Sequence, residues 1–253
     1  MKSLRILALA LLFFLPASIF GQGKFYTRKA RLEDFTAKTT KVVAIGNSLL
    51  ELNLRSEVTS RWYLSPYEFC TPEDYEKLKD DSNYYFLRFV AEDGLAFLLL
   101  EKGGKEDDSD RFKRTFEVVR VPIASLGLSS GKDVIYMGAF IEIIQAYTEK
   151  AISSDATGYS GLEIFNGGSW KGKFVYLNPS DADDAFIESA SDVLVPICFA
   201  PAEGGQWCYK MVVDAGTHEL RYFRKERFRK EKDGTITESD INLFSSKDAI
   251  IVR

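Results

Sequence analysis

Residues 193–214, VLVPICFAPAEGGQWCYKMVVD, constrain the fold more than any other stretch, because they read as two strands whose facing patterns agree. Placing Cys198 opposite Cys208 sets Pro196 against Lys210, Leu194 against Val212 and Phe199 against Trp207. Side chains alternate across a strand, so one face then gathers Val193, Val195, Ile197, Phe199, Trp207, Tyr209, Met211 and Val213, all apolar or aromatic. A slip of one residue would turn that face outward. The connection at residues 200–205 holds Pro201, Gly204 and Gly205, which supply the restricted and positive-φ backbone of a longer hairpin loop.

This register makes Cys198 and Cys208 the disulfide candidate. Opposed residues at a non-hydrogen-bonded site lie ~4.5 Å apart at Cα, the short end of disulfide geometry. Two buried thiols that merely face each other are the competing reading, with equal weight. The chain has three cysteines, so one bridge is the most it can form internally, and Cys70 is expected to stay a buried thiol.

The compartment follows from the N-terminus. Basic Lys2 and Arg5 precede an apolar run at residues 6–15, and small Ala17, Ser18 and Gly21 mark a cleavage zone, so residues 1–22 read as a signal peptide. The run is short for a membrane span, and no later stretch of the 253 residues approaches spanning length. No cysteine follows it to carry a lipid anchor. The expectation is an exported, soluble mature chain, periplasmic or extracellular, with no transmembrane segment. Without Lys2 and Arg5 the formal charge falls from -4 to about -6, which argues against nucleic acid as a partner.

Taken in order, residues 41–45 read as a strand, and Leu50, Leu54, Val58 and Trp62 at steps of four predict an amphipathic helix capped by Asn47 or Ser48. YLSPYEFC is the next strand, and Thr71-Pro72-Glu73-Asp74 the clearest helix start in the chain. Residues 84–92 and 95–102, joined through Asp93-Gly94, predict a hairpin. The wide apolar stripe of residues 132–152 predicts a helix buried against more than one neighbour. A glycine- and serine-rich connection follows at 153–172, then a strand at 173–177 and a short helix capped by Ser180. The expected class is α+β, with mixed or antiparallel sheets and packed helices. Residues 23–152 and 173–253 form its two parts, as similar β-α-β-β halves in which YLSPYEFC matches VLVPICFA.

Chemistry is harder to find. His218 is the only histidine, which removes any site built on two, and no Gly-x-Ser-x-Gly elbow accompanies it; Asp214 lies four residues away in the same turn. The stretches at residues 127–133 and 168–173 lack the glycine spacing and hydroxyl of a phosphate loop. The acidic run 105–110 lacks the glycine of a calcium loop, and the calcium-like run from Lys232 to Asp240 would put Arg229 at its first ligand position. Carboxylate pairs for hydrolysis could be drawn from Glu163, Asp181, Asp183, Asp184 and Glu188, with helix capping and solvation explaining the last four equally well. The densest charge feature is basic: Arg221, Arg224, Arg227 and Arg229, interleaved with lysines and aromatics, could bind anionic glycan or lipid, with Trp170 as a further candidate ligand-binding residue. A solvated face accounts for the same pattern and outweighs it. No catalytic residue, metal site or cofactor is assigned.

The Phe-Gly-Gln that closes the leader, RWYLSPYEFCTPEDYEKLK and YKMVVDAGTHELRYFRK resemble uncharacterised exported proteins of Bacteroidetes bacteria over most of the mature chain. That resemblance implies export and no particular activity. The strand-helix-strand opening at residues 41–70 is also similar in topology to α/β modules of envelope-assembly and translocation proteins. The expected function is therefore non-catalytic, the binding or scaffolding of an envelope or extracellular component, with a protein or polysaccharide partner. A secreted hydrolase using carboxylates or His218 is the alternative, and anionic glycan or lipid binding through residues 221–232 a third.

Overall fold

The computed structural model describes residues 28–104, 115–127, 130–202, 204–229, 234–245 and 248–253. The leader, the acidic loop at 105–110 and the start of the calcium-like run lie outside them. Within them the chain is α+β, built on two mixed five-stranded sheets. The first contains β1 (Thr39–Val43), β2 (Tyr67–Cys70), β3 (Tyr84–Glu92), β4 (Leu95–Lys102) and β5 (Phe116–Ser125) in the order β2-β1-β3-β4-β5. The second contains β6 (Phe174–Tyr176), β7 (Val193–Phe199), β8 (Trp207–Asp214), β9 (Leu220–Arg227) and β10 (Ile250–Val252) in the order β10-β6-β7-β8-β9.

These orders are the same plan. In each sheet a second strand is flanked by two parallel partners, and the rest is an antiparallel meander. The expected duplication is therefore present in topology, with a different correspondence. The counterpart of β7 is β3, whereas β2, the YLSPYEFC strand, corresponds to β10 at the far end of the chain. Short apolar strands of similar composition carry no mark of their place in a sheet, and order along the chain is what differs between the halves.

Local signals set most helices. α1 (Arg28–Leu32) precedes β1; α2 (Leu49–Arg61) starts where the Ser48 hydroxyl accepts the Glu51 N–H at 3.2 Å, while the Glu51 carboxylate takes the Asn47 N–H at 2.9 Å. α3 (Pro72–Leu78) has the full capping box, Thr71 with Asp74. The apolar stripe at 132–152 forms two helices, α4 (Lys132–Ile135) and α5 (Met137–Ser153), divided at Tyr136. The connection at 153–172 contains α6 (Asp155–Ser160) and a 3-10 turn, so it is not an open linker. In α7 (Pro179–Ile187) the cap is Asn178, which accepts the Ser180 N–H, two residues before the expected Ser180. The C-terminal α8 (Glu238–Phe244), absent from the sequence reading, opens on a second capping box, Thr237 with Asp240.

α5 is the centre of the molecule. Eleven of its side chains or backbone positions are buried, and Phe140 meets Phe199 of β7 with ring centroids 6.2 Å apart. Gly138 lets α2 lie close: a Cβ there would stand 2.7 Å from Arg61 Nε. Buried Gln145 ties the end of α2 down, accepting the Tyr63 N–H at 2.8 Å and donating to the Arg61 carbonyl at 3.0 Å. One apolar core runs from Val42 and Leu54 through α5 to Val195, Met211 and Phe223, so the two sheets share it. A smaller core of Trp170, Val175, Leu194, Val212 and Ile241 covers the other face of the second sheet under α8.

The β7-β8 register corrects the expected one by two residues. Cys198 lies opposite Lys210, Pro196 opposite Val212 and Phe199 opposite Tyr209. A slip of two leaves every side chain on its expected face, and Val195, Ile197 and Phe199 still stand across from Val213, Met211 and Tyr209. The cysteines are no longer directly opposed, and no disulfide joins them. Burial pushes the Cys198 thiol up to about 12, with the nearby Cys208 adding to it. The reason for the offset lies in the other half. Asp93 of the β3-β4 turn accepts the N–H groups of Gln206 and Trp207 at 3.0 and 2.9 Å, fixing where β8 begins. Asp93 and Gly94 both have positive φ, the type I′ geometry the dipeptide predicts, and a Cβ on Gly94 would come 2.7 Å from the Ala202 nitrogen. The Gly94 carbonyl instead accepts the Ala202 N–H at 3.0 Å, so the two corresponding hairpin turns are latched together.

Candidate functional sites

The basic stretch, read as one patch in the sequence, is divided by strand alternation. On β9, Phe223, Lys225 and Arg227 stand opposite Met211, Tyr209 and Trp207, while Tyr222, Arg224 and Glu226 stand opposite Val212, Lys210 and Cys208 on the other face. Arg224 is exposed there and pairs with Glu226 at 3.5 Å. On the same face, buried Lys210 bridges Glu226 at 2.9 Å and Asp240 at 3.3 Å. Arg229 is exposed beyond the end of β9. Arg221 belongs elsewhere, held by Glu219 at 2.7 Å and Asp214 at 3.5 Å. Trp170 is 2 % exposed inside the smaller core, so it is not a stacking platform for ligand.

Lys225 faces a cleft of about 630 Å³ between the two sheets. Its aromatic wall comes from both, with Phe97 of β4 edge-on to Tyr209 of β8 at 5.4 Å, and Tyr209 5.9 Å from Phe223 of β9. Tyr159, 68 % exposed, stands on the wall contributed by α6, and half-buried Trp207 on the wall contributed by β8. Burial pushes the Tyr209 phenol up to about 12 despite the neighbouring Arg120. Arg120 offsets only one of the two carboxylate charges at this rim, Glu92 and Glu117, and is itself paired with both. Lys225 and Arg227 are not: their ammonium and guanidinium groups lie 4.6 and 5.7 Å from the Trp207 ring centroid, and neither has a carboxylate partner among the described residues. Cations held on an aromatic face keep much of their charge available to an incoming anion.

A second cavity, of about 680 Å³, lies where α2, α5, the 3-10 turn after α6 and the β8-β9 turn meet. His218 sits on its wall in a left-handed backbone conformation, φ 58°, with its ring stacked on Phe186 at 4.8 Å. Its Nδ1 is 3.1 Å from Glu142 Oε2, and Arg61 reaches the other oxygen of Glu142 at 2.5 Å. A carboxylate only accepts, so in the neutral ring Nδ1 carries the proton and Nε2 is left as an acceptor. Burial alone would raise the Glu142 pKa, but the hydrogen bonds from His218 and Arg61 outweigh it and hold the carboxyl below its ordinary value. Asp214, four residues before His218 in the same turn, is not its partner. It is 1 % exposed and occupied by Lys173 at 3.1 Å and by the N–H groups of Gly216 and Thr217 at 3.2 Å.

The acids considered for hydrolysis do not converge. Asp183 accepts the Tyr136 hydroxyl, while Asp181, Asp184 and Glu188 are exposed along α7, and none of these four, nor Glu163, lines either cavity. Among the described residues no group of three or more His, Cys, Asp or Glu side chains could hold a metal ion, and no helix is long and apolar enough to cross a membrane. Sequence reasoning missed Glu142 and Arg61, which lie 76 and 157 residues from His218 and carry no local signal linking them to it.

Comparison with known proteins adds no relative: no protein family, curated protein or solved structure matches the chain.

Proposed function

We propose that the chain is an exported, non-catalytic protein that binds an acidic polysaccharide of the cell envelope or its surroundings in the cleft between its two sheets. The observation that carries this reading is the pair Lys225 and Arg227, poised over Trp207 without carboxylate partners beside an aromatic wall. Pyranose rings present C–H faces that stack on Trp and Tyr, and Trp207 with exposed Tyr159 supplies such surfaces on two walls. Uronate or sulfate groups on the same sugars would find the two cations. Arg120 offsets one of the two charges of Glu92 and Glu117, and Asp93 accepts the Gln206 and Trp207 N–H groups, which lessens the repulsion an acidic sugar would meet.

The test is retention on immobilised alginate, a polyuronate, against neutral dextran. Alginate is expected to hold the protein and release it as salt rises, because exposed charges are screened. The double reversal Lys225→Glu with Arg227→Glu is expected to weaken binding at least about tenfold. Arg224→Glu, on the opposite face, should leave it unchanged. Equal retention of the double variant, or equal retention on dextran, would overturn the proposal.

A further inference from the structure

The His218 cavity plays no part in polysaccharide binding as argued above, yet it has the organisation of a small-molecule site. Its floor is apolar, from Ala146, Ile164 and Phe165, all only partly buried. Its polar groups fall into two sets. Arg61, Glu142 and Glu219 are satisfied by one another or by neighbouring charged groups, and Arg221 pairs with Glu219 and Asp214 while its buried Nε keeps no hydrogen-bond partner. Two more groups are left open. Lys150 has no carboxylate within ion-pair distance among the described residues, its ammonium standing 5.9 Å from the Phe165 ring. His218 Nε2 has no hydrogen-bond partner in the described chain, while Nδ1 is engaged by Glu142.

The satisfied set explains the orientation of the open one. Glu57 and Glu142 clamp Arg61, both at 2.5 Å, Arg61 holds Glu142, and Glu142 with the Phe186 ring fixes the imidazole plane and its tautomer. A histidine held in this way presents one defined acceptor. The strained φ at His218 is consistent with the same demand, since such conformations persist where the surroundings over-determine them.

We propose that this cavity binds an apolar-bodied hydroxy acid: its carboxylate pairs with Lys150, its hydroxyl donates to His218 Nε2, and its hydrocarbon body covers Ala146, Ile164 and Phe165. A purely apolar ligand would leave both open polar groups desolvated, and a purely polar one would leave the floor wet. The cavity lies on residues distinct from those lining the inter-sheet cleft, so its test is independent of the polysaccharide reading.

The probe is β-hydroxydecanoate, titrated calorimetrically into the full mature chain, with decanoate and 1,3-decanediol as comparisons. Saturable binding is expected for β-hydroxydecanoate, with decanoate and the diol each weaker by about tenfold for the one lost contact. Lys150→Met, at an exposed position where folding is not at risk, should weaken the hydroxy acid about tenfold and leave the diol unchanged. His218→Asn, chosen because Asn tolerates positive φ, should abolish the preference for β-hydroxydecanoate over decanoate. Trp207→Ala in the other cleft should change nothing. Absence of saturable binding, equal binding of decanoate and its hydroxy derivative, or Lys150→Met binding as tightly as the parent chain would each overturn the proposal.

Discussion

At the scale of single residues, buried charge in this protein is distributed as closed local sets. Glu101 is the clearest: 2 % exposed, it accepts from Arg88 Nε at 2.6 Å, Tyr75 Oη at 2.8 Å and Thr115 Oγ1 at 2.6 Å. Removing one partner of such a set strands the others, whereas replacing a buried pair with apolar groups is close to neutral. Glu101→Met is therefore expected to cost about 3 kcal/mol in urea unfolding, and the double variant with Arg88→Met to recover more than half of that. Acid sensitivity follows from the same kind of set. Burial would raise the Asp214 pKa, but the Lys173 hydrogen bond, the Thr217 N–H and the Lys173 and Arg221 charges bring it below the ordinary 3.8. A carboxyl whose pKa is lower folded than unfolded stabilises the fold above its unfolded pKa and loses that contribution as pH falls through the folded one. Stability should thus fall as pH drops below about 4, and Asp214→Asn should flatten that part of the profile while lowering the plateau above it. Urea midpoints across the range measure both effects.

At the scale of elements, the β7-β8 hairpin separates what a local sequence can and cannot specify. Its two-faced pattern was legible, because apolar Val195, Ile197, Phe199, Tyr209, Met211 and Val213 alternate with the rest. Its register was not, because a shift of two preserves every face and the deciding contact, Asp93 on Gln206 and Trp207, comes from another hairpin. Asp93→Ala should cost about 2 kcal/mol, the worth of a carboxylate hydrogen-bonding two backbone groups plus an unfavourable positive φ, read from urea unfolding. The corrected register also removes the direct opposition of Cys198 and Cys208 on which a bridge was expected. Unfolding in iodoacetamide without reductant should add three carbamidomethyl groups per chain by mass spectrometry, matching the three thiols of the fold. The missed helix α8 shows the opposite failure. Its signal, Thr237 three residues before Asp240 with Ile241 and Phe244 behind them, was in plain view, but the glycine-centred run around it read as a turn.

At the scale of the whole molecule, the candidate sites were the least legible part. The inter-sheet cleft takes Phe97 from one half and Trp207, Tyr209 and Lys225 from the other, and the His218 cavity takes Arg61, Glu142 and Arg221 from three separate elements. Each residue is unremarkable in its own segment; only the docking of the halves makes them neighbours. Because α5 and one continuous core serve both sheets, the halves are expected to unfold together. Tryptophan fluorescence and far-UV circular dichroism should give coincident urea transitions, with calorimetric and van't Hoff enthalpies equal. Residues 23–152 expressed alone should show no cooperative transition.

The differing origin of the outer strands, β2 in one sheet and β10 in the other, sets an order of assembly. β1 finds its outer neighbour early, Thr40 meeting Tyr67 across a single helix, while Val175 waits for Ile251, 76 residues further on. Closing the longer loop is entropically slower, so during synthesis the first sheet can complete itself while β6 still presents a bare hydrogen-bonding edge. A ribosome-held chain that has not yet delivered β10 would be the species most exposed to strand capture by another copy, and the arrival of β10 is the event that seals it.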